Sequence, residues 1–392
     1  MVAYTFYQYD GRVRRYAEAL AKHGYRVDVI SLRWNVEEPE EEIIRGVHVF
    51  RIQGRVINEK GKLVYLRRLL QFFFHSMLFL MREQRKERYS VVHVHSVPDF
   101  EVFAAWYPKL TGSKILLDIH DIVPELYASK FNASNKSLAF RLLVVIERMA
   151  TSFSHHVIAA NHLWEKRLEQ RSVKSSKLTT ILNYPEASVF KRRGRNRDDR
   201  KFIALYPGTL SYHQGVDLAV RAFSLLKDKV PNVEFHIYGA GDQLVPLKSL
   251  IVELGLQTKV FLKEPLPPDQ IIPAIENADL GIVPKRNEGF ADEAFSTKIL
   301  EFMILGVPVI VPNTTIDRYY FNDSVAKFFC ANDERSLADA ILLLIEQPQL
   351  RQALIRNADE FVKGYTWEAN EAVYLNLVDS LVNRRRRPND QE

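Results

Sequence analysis

Glu293, Lys298 and Glu301 fall within the nine-residue stretch "EAFSTKILE", just before the apolar run and glycine of "FMILGVPVIVP". Carboxylates accept hydrogen bonds in pairs, so two of them can select vicinal hydroxyls by geometry. The same stretch reads as the start of a helix, where unpaired N–H groups and the macrodipole favour an anion such as a phosphate. Lys298 is the misfit, because a cation in the first turn is disfavoured by about 0.3 to 1 kcal/mol when it only faces solvent. A bound diphosphate would reverse that sign. The chemistry suggested is recognition of sugar hydroxyls and of a diphosphate at one helix end.

Other chemistries find less support. Nothing matches a P-loop, and the lone "GAG" of Gly239 to Gly241 lacks the third glycine and the downstream acid of a dinucleotide site. Walker-type phosphoryl transfer and hydride transfer are therefore not expected. There is no D-x-D pair to hold a divalent metal on a nucleotide. His93 and His95 stand two apart on a predicted strand, but no cysteine or carboxylate cluster joins them in sequence, so no metal is expected.

The elements that must position these residues alternate along the whole chain. "MVAYTFY" reads as a strand, "RVRRYAEALAKHG" as a helix closed by Gly24, and "RVDVISL" as the next strand. Further strands are expected at 47–52, 91–96, 114–120, 156–160 and 178–183. After the hydrophilic run 191–201 the pattern restarts, with strands at 202–208, 233–241, 259–264, 280–284 and 308–312. Helices near 334–347 and 366–383 finish it. Domain boundaries follow: 1–190, a basic linker at 191–201, 202–365, and a C-terminal helix with a basic tail at 366–392 that packs back towards the first domain. Each half reads as a doubly wound parallel sheet, with ligands outside the carboxyl ends of its strands and a cleft between two facing halves.

A glutamate, seven residues and a second glutamate at a helix start, followed by glycine and a buried strand, resembles the E-x7-E motif of retaining GT-B glycosyltransferases of family 4. The order of "DGRVRRYAEALAKHGYRVDVIS", "VVHVHSVPDFEVF", "KILLDIHD", "VIAANHLWEKRL", "YPGTLSYHQGVDLAVRAF", "VEFHIYGAGDQ" and "ENADLGIVP" carries the resemblance over nearly the whole chain. It implies two Rossmann-like domains, a nucleotide diphosphate sugar donor, no cofactor and no metal. By resemblance, Glu293 would contact the donor sugar, Glu301 the ribose hydroxyls, and Phe295, Ser296 and Thr297 the diphosphate through backbone N–H groups. Gly208, Gly239 and Gly241 would line the same site. Relatives commonly carry an arginine and a lysine where this chain has Thr209 and Gln214. Lys298 is the expected substitute cation, with Lys285 or Arg286 behind it. In the first domain, His120 of "LLDIHD" would stand near the reacting sugar with Asp121 and Glu125 beside it. His95 and Asp99 would lie at another strand end on the acceptor side with Asp10 and Arg12, and Asp10 reads equally as a helix N-cap.

The 392 residues suit two cores, and 47% hydrophobic with 26% charged residues excludes disordered, collagen-like and disulfide-scaffold classes. One cysteine, Cys330, cannot form an internal disulfide and fits a reducing compartment. "MVAYTFYQYD" has no basic region before an apolar core, so no secretory signal is expected and the location read is cytoplasmic, at the inner face of the membrane. The net charge of +6 is concentrated in 191–201 and Arg384 to Arg387, without a reading motif or interleaved aromatics, so no nucleic-acid partner is expected.

The apolar segment 65–88, flanked by basic residues, reads as too short to span a bilayer. It is either a core helix or an interfacial membrane helix with Phe72, Phe73 and Phe74 in the acyl boundary. The function expected is transfer of a sugar to a lipid-linked or polysaccharide acceptor in envelope glycan synthesis. A sugar-nucleotide 2-epimerase and a non-catalytic sugar-nucleotide-binding protein of the same architecture are the alternatives.

Overall fold

The computed structural model describes residues 1–54, 62–131, 133–197, 199 and 201–383, so the basic tail at 384–392 lies outside the described residues. Contacts divide the chain into two units. The first is Met1–Asn183 together with residues from Glu371 on, and the second is Tyr184–Asn370.

The first unit is built on eight strands: β1 (Val2–Ala3), β2 (Val27–Arg33), β3 (Glu41–Ile44), β4 (Val47–Gly54), β5 (Val91–His95), β6 (Lys114–Ile119), β7 (His156–Ala159) and β8 (Leu178–Thr180). They lie in the order β3-β4-β2-β1-β5-β6-β7-β8 and pair in parallel, except that β3 runs antiparallel to β4. In "KILLDI" of β6 every residue after the first is buried, as expected of a parallel strand covered on both faces. The sheet order reverses between β1 and β5, which makes their carboxyl ends the topological switch point. Strand β3, "EEII", was not expected from the sequence. It is an edge strand whose glutamates are exposed, so it carries no apolar alternation to read.

The second unit holds β9 (Phe202–Pro207), β10 (Val233–Tyr238), β11 (Val260–Lys263), β12 (Leu280–Ile282), β13 (Val309–Pro312) and β14 (Lys327–Phe329), all parallel, in the order β11-β10-β9-β12-β13-β14. Its reversal falls between β9 and β12. Phe223 and Phe235 stack at 4.8 Å in its core. The basic run 191–201 lies along this unit: Arg192 pairs with Asp359 at 2.6 Å, and Arg195 and Arg197 both pair with Asp279.

The helix Lys62–Lys86 is longer than its apolar run and suffices by length and composition to cross a membrane. One face nevertheless belongs to the core of the first unit. Phe72 is fully buried against Tyr4, Phe73 is half-buried against Phe100, and Phe74 is 52% exposed. At about 100° per residue, three consecutive residues cannot share a face, so the expectation that all three phenylalanines enter lipid together does not hold: of the three, only Phe74 is exposed.

Candidate functional site

The residues singled out by the sequence gather at the carboxyl ends of strands, one cluster in each unit. In the first unit, Asp118 on β6 is completely buried and accepts from Arg12 Nε and Nη2, both at 2.8 Å. Arg12 comes from the helix Gly11–Lys22, whose N-cap is Asp10; the Asp10 carboxylate accepts from the backbone N–H of Arg12 and Val13. Burial alone would raise the Asp118 pKa, but the Arg12 and His120 charges win and hold it well below the usual carboxylate range. His120, two residues on, donates from Nε2 to Asp118 Oδ2 at 3.0 Å. When the ring is neutral, that hydrogen bond places its proton on Nε2 and leaves Nδ1 as the acceptor nitrogen.

His95 at the end of β5 sets its Nδ1 3.1 Å from His120 Nε2, and burial lowers its pKa to about 4, so it is neutral at neutral pH. His93 Nδ1 lies 3.0 Å from the Tyr374 hydroxyl, and Tyr374 stacks on Tyr16 at 4.0 Å. No local pattern signals that Tyr374, 281 residues from His93, joins the cluster. Contrary to the sequence reading, a carboxylate does join the histidines: His93, His95 and Asp118 come within 4.8 Å of one another. Both Asp118 oxygens are already held by the Arg12 guanidinium, so a metal there would have to displace a buried ion pair.

Two expected residues stand apart from this cluster. Asp99 is buried and accepts from Ser96 Oγ at 2.5 Å; burial raises its pKa to about 7. An acceptor would not reach it directly. Glu125 does not lie beside His120 in a functional pair but accepts from Arg171 at 2.6 and 3.0 Å, a structural ion pair that also takes in Glu147.

In the second unit the loop after β9 starts at Gly208, at the switch point. Gly239 and Gly241, after β10, let that loop pass. A Cβ on Gly239 would lie 1.9 Å from the Gly208 carbonyl oxygen, and one on Gly241 would lie 2.1 Å from the Leu210 carbonyl oxygen. Their lack of a side chain therefore serves backbone packing behind the site. Gly239→Ala is expected to push the Gly208 loop out of place. A lower melting temperature together with loss of any nucleotide-induced thermal shift would show it, and an unchanged shift would mean that the loop tolerates displacement.

The two glutamates do not share one helix. Glu293 closes the short turn Phe290–Glu293, and Glu301 lies in the helix Thr297–Ile304, which Ser296 precedes as N-cap. Among the described residues the Ser296 hydroxyl is buried with no hydrogen-bond partner, and no acid lies in the first turn. Phe295 packs against Tyr320 at 4.9 Å, which pins the turn between the two glutamates.

Lys298 reaches back from the first turn to the Gly208 loop. Its Nζ donates to Gln214 Oε1 at 3.2 Å and sits over the Tyr206 ring at 5.2 Å; a Cβ on Gly208 would be 3.3 Å from it. Tyr206 Oη in turn donates to the Thr209 carbonyl oxygen at 2.8 Å. Burial lowers the Lys298 pKa to about 8, with Glu301 opposing the shift. The reserve cations are committed elsewhere. Lys285 donates to the Ala294 carbonyl oxygen at 2.8 Å and pairs with Asp317 at 3.0 Å, while Arg286 pairs with Asp217 at 2.6 Å. Of the three, Lys298 is the one beside Gly208 itself, while Arg286 Nε donates to the Tyr212 carbonyl oxygen farther along the same loop at 3.1 Å.

Two family models match the chain and together span most of it: "Glycosyltransferase Family 4" over residues 12–184 and "Glycosyl transferases group 1" over residues 189–361. The chain is 24% identical over 318 residues to an uncharacterized glycosyltransferase of Methanocaldococcus jannaschii, which covers 75% of this chain and 74% of the relative. Among solved structures, sucrose-phosphate synthase of Thermosynechococcus elongatus superposes with a TM-score of 0.80 at 18% identity, covering 98% of this chain and 99% of its own. The HepE protein of Anabaena in complex with UDP-glucose superposes with a TM-score of 0.73 at 14% identity, covering 97% and 98%. The two doubly wound units are the fold of these structures.

Proposed function

The chain belongs to the group 1 glycosyl transferases, and from that premise we propose that it moves a sugar from a nucleotide diphosphate sugar to a hydroxyl of a lipid-linked or polysaccharide acceptor in envelope glycan synthesis. The transfer would retain the anomeric configuration and need no metal or cofactor. The observation that carries the donor half is the meeting of Lys298 Nζ with the Gly208 loop at a helix N-terminus whose Ser296 hydroxyl is buried without a partner. An anion fits there, since the helix end, the unpaired hydroxyl and a cation all point to the same charge. The UDP-glucose bound by HepE supports a donor of that kind.

In this reading the diphosphate lies over Ser296 and Thr297 with Lys298 as its cation, Glu301 holds the ribose and Glu293 the donor sugar. As the bond from the anomeric carbon to the leaving phosphate oxygen lengthens, the acceptor hydroxyl attacks the same face. The leaving diphosphate takes the acceptor proton, and the helix dipole and Lys298 stabilise the charge it develops. His120, its Nε2 proton fixed by Asp118, would present Nδ1 as an acceptor to a hydroxyl of the reacting sugars. The protein would work in the cytoplasm at the inner face of the membrane, where the exposed side of the helix Lys62–Lys86 meets lipid.

A thermal-shift screen of nucleotides and sugar nucleotides tests the donor half, since a ligand at about 100 times its dissociation constant adds about 2.7 kcal/mol of stability. Glu301→Gln is expected to weaken nucleotide binding, and Glu293→Gln to lower turnover with little change in that binding. Steady-state transfer measured alongside nucleotide titration separates the two, and wild-type behaviour in both variants would remove the assignment.

A further inference from the structure

Beyond the carboxyl ends of β2 and β4, where the helix Lys62–Lys86 begins, the first unit has a cavity of about 490 Å³. Four arginines line it, Arg33, Arg51, Arg67 and Arg68, against a single acid, Glu40. Arg51 is buried and fixed by Glu42 at 2.8 Å and by the Pro39 carbonyl oxygen at 3.0 Å; Arg33 reaches exposed Glu40 at 3.1 Å. Arg67, exposed near the helix start, adds charge with no acid of the lining left to balance it. Guanidinium groups gathered in this way match phosphate oxygens, which they bind in bidentate fashion.

A second feature begins at the same end of the helix. Leu63, Leu66, Leu70, Phe74 and Leu78 recur every three or four residues and are all exposed, from 41% to 82%. They form one stripe on the side opposite Leu69, Phe72 and Leu80, which enter the core. A charged pocket for phosphate thus sits at the head of an apolar track on the same helix. No soluble phosphate compound needs the second feature, and no purely apolar ligand needs the first.

We infer that this corner binds the phosphoryl head of an anionic amphiphile whose hydrocarbon chain lies along the stripe at the surface of a bilayer. The inference deepens the acceptor half of the proposed function and rests on it, since it supplies the head-group chemistry of a lipid-linked acceptor. The donor half is independent of it.

Co-sedimentation with vesicles tests it, using phosphatidylcholine alone, phosphatidylcholine with phosphatidylglycerol, and phosphatidylcholine with a long-chain polyprenyl phosphate. The wild type should sediment with both anionic mixtures and much less with the neutral one. Arg67→Glu with Arg68→Glu, and separately Leu70→Ser with Phe74→Ser, should each lower the partition by about tenfold or more, while Arg141→Glu on the helix Leu138–Phe153 should change it little. All three variants should keep the wild-type melting temperature and its sugar-nucleotide shift. An equal loss from Arg141→Glu would mean diffuse charge attraction and overturn the pocket. Thermal stabilisation by inorganic phosphate or pyrophosphate without vesicle binding would reassign the arginines to a soluble phosphate and overturn the lipid. Vesicle binding with no sugar-nucleotide shift would leave this site standing while the donor reading fell.

Discussion

Lys298→Ala is expected to raise the sugar nucleotide concentration needed for half-maximal transfer by about 10- to 100-fold. A hydrogen bond to a charged group contributes about 1.5 to 3 kcal/mol, and each 1.4 kcal/mol is about tenfold. The full effect is expected because the other nearby cations, Lys285 and Arg286, are held by Asp317 and Asp217 and cannot take its place without breaking those ion pairs.

The pH dependence gives a second readout with a definite sign. With a pKa lowered to about 8, Lys298 is an ammonium below that pH and loses its charge above it. In the wild type, kcat/KM should therefore fall as pH rises through about 8, and in Lys298→Ala that limb should be absent. Stability of the ligand-free protein runs the other way. The unfolded chain keeps this proton up to about pH 10.4, so between about 8 and 10.4 the unfolded state binds more protons and stability rises with pH. A wild-type rate profile that is flat across this range would remove Lys298 from the diphosphate.

The second large effect is expected at Asp118. Asp118→Asn leaves the Arg12 guanidinium buried without its counter-charge, and breaking a buried pair by removing one partner costs about 3 to 5 kcal/mol. The midpoint of urea unfolding should fall with the slope unchanged. Because Asp118 is held well below its ordinary pKa, its contribution is fully present above the unfolded value of about 3.9 and is lost as pH falls further. Acid sensitivity should accordingly weaken in the variant. Replacing both partners, Arg12→Met with Asp118→Leu, should restore much of the stability and none of the transfer activity, since His120 would still lack the carboxylate that fixes its proton. A single variant within about 1 kcal/mol of wild type would mean that water relieves Arg12.

The alternation of apolar strands and amphipathic helices was enough to read both sheets, because parallel strands buried on both faces announce themselves as continuous apolar runs. Where burial is one-sided or short the signal fades: three of the four residues of β3 are exposed, both glutamates among them, and β14 is three residues long. The helix start at Thr297 was legible from the stretch that holds Lys298 and Glu301, but the break that leaves Glu293 in a separate short turn was not. Asp118 and His120 share a strand face by the two-residue period. Arg12 lies 106 residues from Asp118, and its pairing follows from sheet order, which no local pattern encodes. Glu125 was misplaced for the same reason: its partner Arg171 stands 46 residues on, across another helix. The run Phe72 to Phe74 was read as one apolar block because hydropathy averages over the turn that separates a core residue from an exposed one.

The contact between Tyr374 and the histidine cluster bears on how the chain comes to be folded. The first unit is discontinuous, and the ring that stacks on Tyr16 and the hydroxyl beside His93 arrive only with residue 374. The second unit, continuous from Tyr184 to Asn370, draws on no residue beyond 370. The later half therefore holds its whole core within one stretch of chain, whereas the earlier half needs a segment from the far end of the sequence to close its own. A released chain ending at residue 370 should be protease-resistant in its second unit and more sensitive in its first.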